Sequence, residues 1–149
     1  MKSKLYFSIQ MEYFNFEDLI DDLKNLNEEQ NYWMVRTMGG TYYGEFIRGN
    51  YVAIGYNNIS LEDLQHLPET DNAAKEALKA MFHHRYPNIR NSGYPVAQIL
   101  RFTREIQQGD VVIIPSSGAT HVAIGTVIGN MYEETTPIID DEHYCDFKK

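Results

Sequence analysis

Cysteine, basic residues and long apolar runs are all scarce in this chain, and each scarcity excludes a class of protein. The 149 residues include one cysteine, Cys145, so an internal disulfide and a thiolate zinc cluster are both excluded. Lysine and arginine together number 13 against 21 aspartates and glutamates, which leaves a formal net charge of -8. Because cations neutralise phosphates, this balance argues against binding nucleic acid through general electrostatic attraction.

The hydrophobic residues are spread along the chain and are not gathered into membrane-spanning runs. No stretch approaches the roughly 18–20 apolar residues of a membrane span, and the first residues form no cleavable apolar segment. We therefore predict a cytoplasmic protein with no membrane partner. A hydrophobic content of 43% in 149 residues is sufficient for one core in one domain.

The motifs of common enzymes are also missing. The sequence contains no phosphate-binding loop, no nucleophile elbow and no His-Glu-x-x-His. His83 and His84 are adjacent, so on a helix their rings point about 100° apart and are poorly placed to share a metal. The acidic group at 140–142 is interpreted as a solvated loop and not as a nuclease centre. We predict that this chain is not an enzyme and has no catalytic residue, metal or cofactor.

Hydrophobic periodicity predicts six strands. Leu5, Phe7 and Ile9 alternate with polar and aromatic neighbours, which is typical of a strand with one buried face. Apolar and β-branched runs predict further strands at 32–37, 51–56, 111–114, 121–128 and near 144–147, with a short helix after the glycine turn at 39–40. The segment 133–141 is acidic and poorly patterned, so no strand is predicted there.

Helical spacing predicts four longer or capped helices. The first covers 16–29 and has an apolar face opposite an acidic one. A short helix begins at Ser60, and a longer one runs from about residue 71 to Pro87. The last begins at Pro95 and stops at Gly109. The helix before Pro87 is predicted to bury a narrow stripe of Ala73, Ala77, Ala80, Met81 and His84.

This order of elements predicts a mixed α/β (α+β) fold. Its mainly antiparallel sheet is expected to curl into a small barrel with flanking helices. We divide the chain into an acidic strand–helix extension at 1–30 and a main domain at 31–149, within a longer natural protein. The extension could be an elaboration of the main domain, a dimerisation element or the end of another module.

Four glycine-containing segments carry a resemblance to a known family. They are 32–46, 49–56, 109–115 and 124–129, and together they resemble the EVE-like domains of the PUA superfamily. Such domains occur at the N-termini of some modification-dependent restriction proteins of the Mrr and McrB kind. The matching positions are Trp33, Arg36, Gly39, Gly40, Phe46, Gly49, Ile54, Gly55, Gln98, Phe102, Gly109, Asp110, Gly125 and Tyr132. Tyr56 departs from the pattern, because relatives commonly carry tryptophan there.

The resemblance implies a non-enzymatic reader that holds a flipped, modified base of DNA, or less readily RNA, and acts as the sensor of a restriction or defence system. Eleven tyrosines and seven phenylalanines are compatible with an aromatic pocket, since aromatic faces stack on bases. An effector nuclease or NTPase domain would be the partner. The residues predicted to line the base pocket are Trp33, Arg36, Tyr42, Tyr56, Tyr94 and Gln98.

A phosphate site is predicted where the last helix begins. Gly93 allows close approach to helix N–H groups, and Ser92 and Arg90 are near it in sequence, although a plain loop is the alternative. Two other functions remain open. The chain could sense a free nucleotide in the same pocket, which its net acidity favours, or dock a protein through helix 16–29. The oligomeric state is left open.

Overall fold

A computed structural model describes residues 2–12, 31–37, 39–136 and 147–148. The predicted helix at 16–29, the acidic group at 140–142 and Cys145 lie outside these residues. Among the described helices, none combines the length and the apolar character of a membrane span. The elements are β1 (Lys2–Glu12), β2 (Tyr32–Val35), α1 (Tyr43–Gly49), β3 (Tyr51–Ile54), α2 (Leu61–Gln65), α3 (Asp71–Arg85), α4 (Gly93–Leu100), a π-helical turn (Arg101–Glu105), β4 (Val111–Pro115), a 3₁₀ turn (Ser117–Ala119), β5 (Val122–Val127), β6 (Tyr132–Thr136) and β7 (Phe147–Lys148).

The strands form one sheet, in which β1 pairs with three other strands. Their order is β3-β1-β5-β4-β2-β7, and β6 pairs with β1 in addition. All pairings are antiparallel except that of β2 with β4. β1 pairs with β6 through residues 2–6, with β3 through 5–8 and with β5 through 9–12. The mixed α/β class with a mainly antiparallel sheet is confirmed, and the division at residue 30 stays a prediction.

The predicted closed barrel is wrong. β3 and β7 are the two ends of the strand order, and no ladder joins them among the described strands. Closure of a sheet requires its end strands to pair. Here β2, which pairs with β4 on one side, pairs with β7 on the other, through Val35 opposite Phe147 and Met34 opposite Lys148. The result is an open sheet.

One face of the sheet forms the core with the helices. Leu5, Phe7 and Ile9 of β1 are buried as predicted, but Tyr6 is buried as well, so the alternation of buried and open positions begins only at Phe7. Phe7 meets Phe102 of the π-helical turn with ring centroids 5.0 Å apart. On β2, Trp33 is fully buried and belongs to the same cluster. Burial of Phe7 and Ile9 on one face, with Gln10 exposed on the other, favours this register, since a shift by one residue would expose the apolar pair.

Two helices differ from the sequence prediction. α3 buries Ala74, Leu78 and Phe82 in place of the predicted stripe of Ala73, Ala77, Ala80, Met81 and His84. The shift buries a leucine and a phenylalanine, which remove more apolar area from water than alanines do. α4 begins at Gly93, two residues before Pro95, and has Ser92 as its N-cap.

After Leu100 the α-helical pattern gives way to a π-helical turn. The N–H of Ile106 donates to the carbonyl of Arg101 at 3.3 Å, a bond over five residues. The hydroxyl of Thr103 donates to the carbonyls of Ile99 at 2.8 Å and Leu100 at 3.3 Å, so it competes for the acceptors of the helix. π-Helical turns occur frequently at functional sites.

β6 was missed by the sequence prediction. Its residues 132–136 fall in a segment that is too acidic to show strand periodicity. Pairing with β1 stabilises it, and Tyr132 stacks on Tyr6 with ring centroids 5.4 Å apart and planes at 17°. The carboxylate of Glu133 accepts a hydrogen bond from the N–H of Leu61 at 2.9 Å, and this bond joins β6 to the start of α2.

Candidate ligand-binding cleft

Three of the six predicted base-pocket residues lie in the core. Trp33, Tyr56 and Gln98 are 0%, 2% and 2% exposed, respectively. The Trp33 indole N–H donates to a carboxylate oxygen of Asp110 at 2.8 Å. The Tyr56 ring packs edge-on against Phe82 at 5.7 Å. These side chains are therefore engaged with neighbouring core residues.

The other three predicted pocket residues lie at or near the surface. Arg36 is exposed, Tyr94 is 48% exposed and Tyr42 is half-buried. Tyr42 stacks on Phe46 of α1 with ring centroids 6.5 Å apart. The structure thus divides the six residues between core and surface, and none of them lines the cleft described below.

The predicted phosphate site is occupied by hydrogen bonds within the protein. The N–H of Gly93 donates to the side-chain oxygen of Asn91 at 3.1 Å. The Ser92 hydroxyl lies 3.2 Å from Nε2 of His83, in a hydrogen bond. Arg90 is exposed nearby in sequence. A phosphate at this helix start would have to displace the Asn91 side chain.

A cleft of about 510 Å³ opens where β1, α2, the π-helical turn and the β5–β6 loop meet. We call it the amide cleft. Its volume falls in the range of about 300–1,000 Å³ that is usual for small-molecule sites. The residues that line it are Phe7, Leu61, Gln65, Thr103, Ile106, Gln107, Gln108, Gly129, Asn130 and Met131.

The lining of the amide cleft is polar but carries no ionisable side chain. Four of its side chains are carboxamides, each of which offers both a hydrogen-bond donor and an acceptor. These are Gln65, Gln107, Gln108 and Asn130, and all four are exposed. Their carboxamides make no hydrogen bond to another residue within the described part of the chain. Such a lining suits an uncharged ligand that both donates and accepts hydrogen bonds.

The turn that carries Gln107 and Gln108 is held by Asp110. The buried Asp110 carboxylate accepts hydrogen bonds from the N–H of Gln107 at 2.9 Å and from the indole of Trp33 at 2.8 Å. Both bonds go to the same oxygen. The N–H of Asp110 donates back to the carbonyl of Gln107 at 3.0 Å. Gly109 completes the turn with φ at 94°, a conformation that glycine adopts without strain.

The helix α2, which carries Leu61 and Gln65 of the cleft, is held in place by several hydrogen bonds. Ser60 and Asp63 form a capping box at its start, with the two reciprocal bonds at 2.8 and 3.1 Å. The Arg85 guanidinium donates to Asp63, with Nη2 2.9 Å from Oδ1. Hydrogen bonding from Arg85 holds the pKa of the Asp63 carboxyl well below its usual range. With the bond from Leu61 to Glu133, these contacts fix the wall that carries Gln65.

The π-helical turn is joined to the segment between α2 and α3. The Arg104 guanidinium donates to the carbonyl of Pro68 at 2.6 Å and to that of Glu69 at 3.1 Å. This connection ties the segment that follows α2 to the turn that carries Thr103. The amide cleft is therefore bounded by elements that are braced before any ligand arrives.

Comparison with known proteins assigns the chain to a family. The model of a domain of unknown function, DUF8426, matches residues 33–149 of this chain. The chain belongs to the DUF8426 family. Phe7, one of the residues that line the amide cleft, precedes the segment that matches DUF8426, whereas the other lining residues lie within it. No curated protein and no solved structure matches the chain.

Sequence reasoning missed the carboxamides of the cleft. Gln107 and Gln108 precede a glycine in a turn, and Asn130 follows one, so their composition is that of an ordinary surface loop. The available signal was the pair Gly109-Asp110, which marked a structured turn. It did not show that α2 would lie opposite that turn.

Proposed function

We propose that this chain is a non-enzymatic recognition module that binds a nucleobase in the amide cleft. The observation that carries the proposal is the cleft's set of four carboxamides, with no ionisable side chain among the lining residues. Nucleobases are uncharged, and their edges present donors and acceptors side by side. Asparagine and glutamine carboxamides match such edges with two hydrogen bonds.

The apolar part of the lining supports a planar ligand. Leu61 and Met131 are half-buried, so each retains some exposed apolar surface that can contact the face of a ring. Phe7 also lines the cleft but is only 3% exposed, which leaves little of its ring for stacking. Because base–aromatic stacking contributes about 1–3 kcal/mol per base, a cleft without it should bind a free base weakly.

The resemblance to EVE-like domains supports the same class of ligand. In that interpretation the base is modified and flipped out of DNA, and the module is the sensor of a restriction or defence system whose effector is a nuclease or NTPase domain. The same cleft chemistry would accept a free nucleoside. The net charge of -8 implies little affinity for phosphates, so the chain alone should bind oligonucleotides weakly and with a shallow salt dependence.

The test uses a variant that fills the cleft. Gly129 lines the cleft, a Cβ placed on it would meet no atom within 4 Å, and its φ lies outside the left-handed region, so Gly129→Leu introduces a large side chain at the cleft without backbone strain. We expect it to weaken nucleoside binding at least about tenfold in calorimetric titration, with an unchanged melting temperature. Gln10→Leu, exposed on the opposite face of β1, is the control and should bind as the wild type does.

The titration includes free nucleosides and matched single-stranded and duplex oligonucleotides that carry plain, methylated or hydroxymethylated bases. Tighter binding to a modified oligonucleotide than to its nucleoside would favour the flipped base as the source. Equal binding to both would favour the free ligand. Failure of every base to bind saturably, or wild-type binding by Gly129→Leu, would refute the proposal.

A further inference from the structure

We infer that Gln107 reads the hydrogen-bonding edge of the ligand in the amide cleft, and that this edge presents a donor and an acceptor side by side. The inference rests on the proposed function and adds the residue that determines specificity. A carboxamide discriminates between ligand edges when its backbone is fixed and its polar atoms are free to meet the ligand. Gln107 meets both conditions.

Both backbone polar groups of Gln107 are bound to Asp110. Its N–H donates to the Asp110 carboxylate at 2.9 Å, and its carbonyl accepts from the Asp110 N–H at 3.0 Å. Asp110 is in turn anchored to Trp33, which is fully buried. Gln107 is therefore held in its turn by Asp110, and Trp33 anchors that turn to the core.

The other loop carboxamides of the cleft lack this support. Among the described residues, neither Gln108 nor Asn130 has a backbone hydrogen bond of this kind. The Gln107 side chain is exposed and makes no hydrogen bond to another residue within the described ranges. The oxygen and nitrogen of the side-chain carboxamide are both available to a ligand. Immobilising one side chain on a fixed backbone costs less entropy than ordering a mobile loop.

A carboxamide and a carboxylate of the same shape select different edges. Glutamine donates and accepts, whereas an ionised glutamate only accepts. Gln107→Glu should therefore favour bases that offer several donors, such as guanine, over bases that offer two carbonyls and one N–H, such as uracil. Gln107→Leu removes both functions and keeps a similar volume.

The experiment is a calorimetric titration of four nucleosides, guanosine, adenosine, cytidine and uridine, against the whole chain. We expect Gln107→Leu to weaken the best wild-type ligand about tenfold. We expect Gln107→Glu to change the ratio of guanosine to uridine affinity by about tenfold in favour of guanosine. Gln10→Glu adds the same charge on the opposite sheet face and should leave that ratio within about twofold. Thermal melts confirm that each variant is folded.

The outcomes separate the two claims. If the wild-type chain binds no nucleoside, the proposed function and this inference both fail. If the wild type binds but Gln107→Leu stays within about twofold, the cleft is a base site and Gln107 is not its reader. If Gln107→Glu lowers the affinities for guanosine and uridine equally, Gln107 acts through its volume and not through hydrogen bonds, and the inference is again refuted.

Discussion

Replacing Asp110 should damage both the core and the amide cleft, because one carboxylate oxygen serves both. That oxygen accepts the indole N–H of the fully buried Trp33 and the backbone N–H of Gln107. Asp110→Ala leaves both donors without their acceptor. The Trp33 side chain is fully buried, whereas the Gln107 donor is only partly buried.

The magnitude follows from the two donors. A buried unsatisfied donor costs about 1–3 kcal/mol, and a part-buried one costs less. We therefore expect Asp110→Ala to lower the free energy of unfolding by about 2–4 kcal/mol. For a chain of 149 residues, at about 2–4 °C per kcal/mol, the melting temperature should fall by roughly 4–16 °C.

The chain contains its own probe for this measurement. Trp33 is its single tryptophan and is fully buried, so the shift of its fluorescence on exposure to water reports the unfolding of the core. Urea titrations followed by this emission give the free energy of unfolding by linear extrapolation. An unchanged slope would show that the unfolded state is the same in wild type and variant.

Asp110→Asn is the matched control. Its carbonyl oxygen can accept both hydrogen bonds in the same place, so only the assistance of the charge is lost, at about 1–2 kcal/mol. The reasoning is refuted if Asp110→Ala costs less than about 1 kcal/mol, or if the alanine and asparagine variants are equally destabilised.

Other predictions concern the glycine turn and the Asp63 ion pair. Gly39→Ala should lower the free energy of unfolding in urea by about 1–2 kcal/mol, because of its positive φ alone. Gly40→Ala should lower it further, because its Cβ would also collide with the Ser117 backbone. Equal losses for the two variants would contradict this. Arg85 depresses the pKa of Asp63, so their bond stabilises the fold above the unfolded pKa of about 4. The stability difference between wild type and Asp63→Asn should be full at pH 7 and shrink as pH falls below about 4; a constant difference in thermal melts would contradict it.

Elements with a clear hydrophobic period could be predicted from the sequence. The alternation of Leu5, Phe7 and Ile9 identified β1, because burial on one face leaves a two-residue period. Ser60 marked the start of α2 for a local reason, since its capping bonds join residues three apart. Long-range pairings could not be predicted in this way. β6 depends on β1 across the sequence and not on its own acidic composition.

The candidate site was less predictable than the fold. Aromatic residues drew the prediction towards Trp33 and Tyr56, yet their apolar area is what buries them in the core. The amide cleft arises where four segments distant in sequence meet, and polar residues in turns carry no periodic signal. Asp110, one of the positions that carry the family resemblance, supports the fold through the two hydrogen bonds that its carboxylate accepts.

The most direct test of the central claim is an NMR titration of the whole ¹⁵N-labelled chain with nucleosides, followed at the side-chain carboxamide signals. The binding account predicts that a saturating nucleoside shifts the signals of Gln107 and Asn130, while those of Gln10 and the buried Gln98 stay in place. Shifts confined to residues outside the amide cleft, or no shift with any of the four nucleosides, would contradict it.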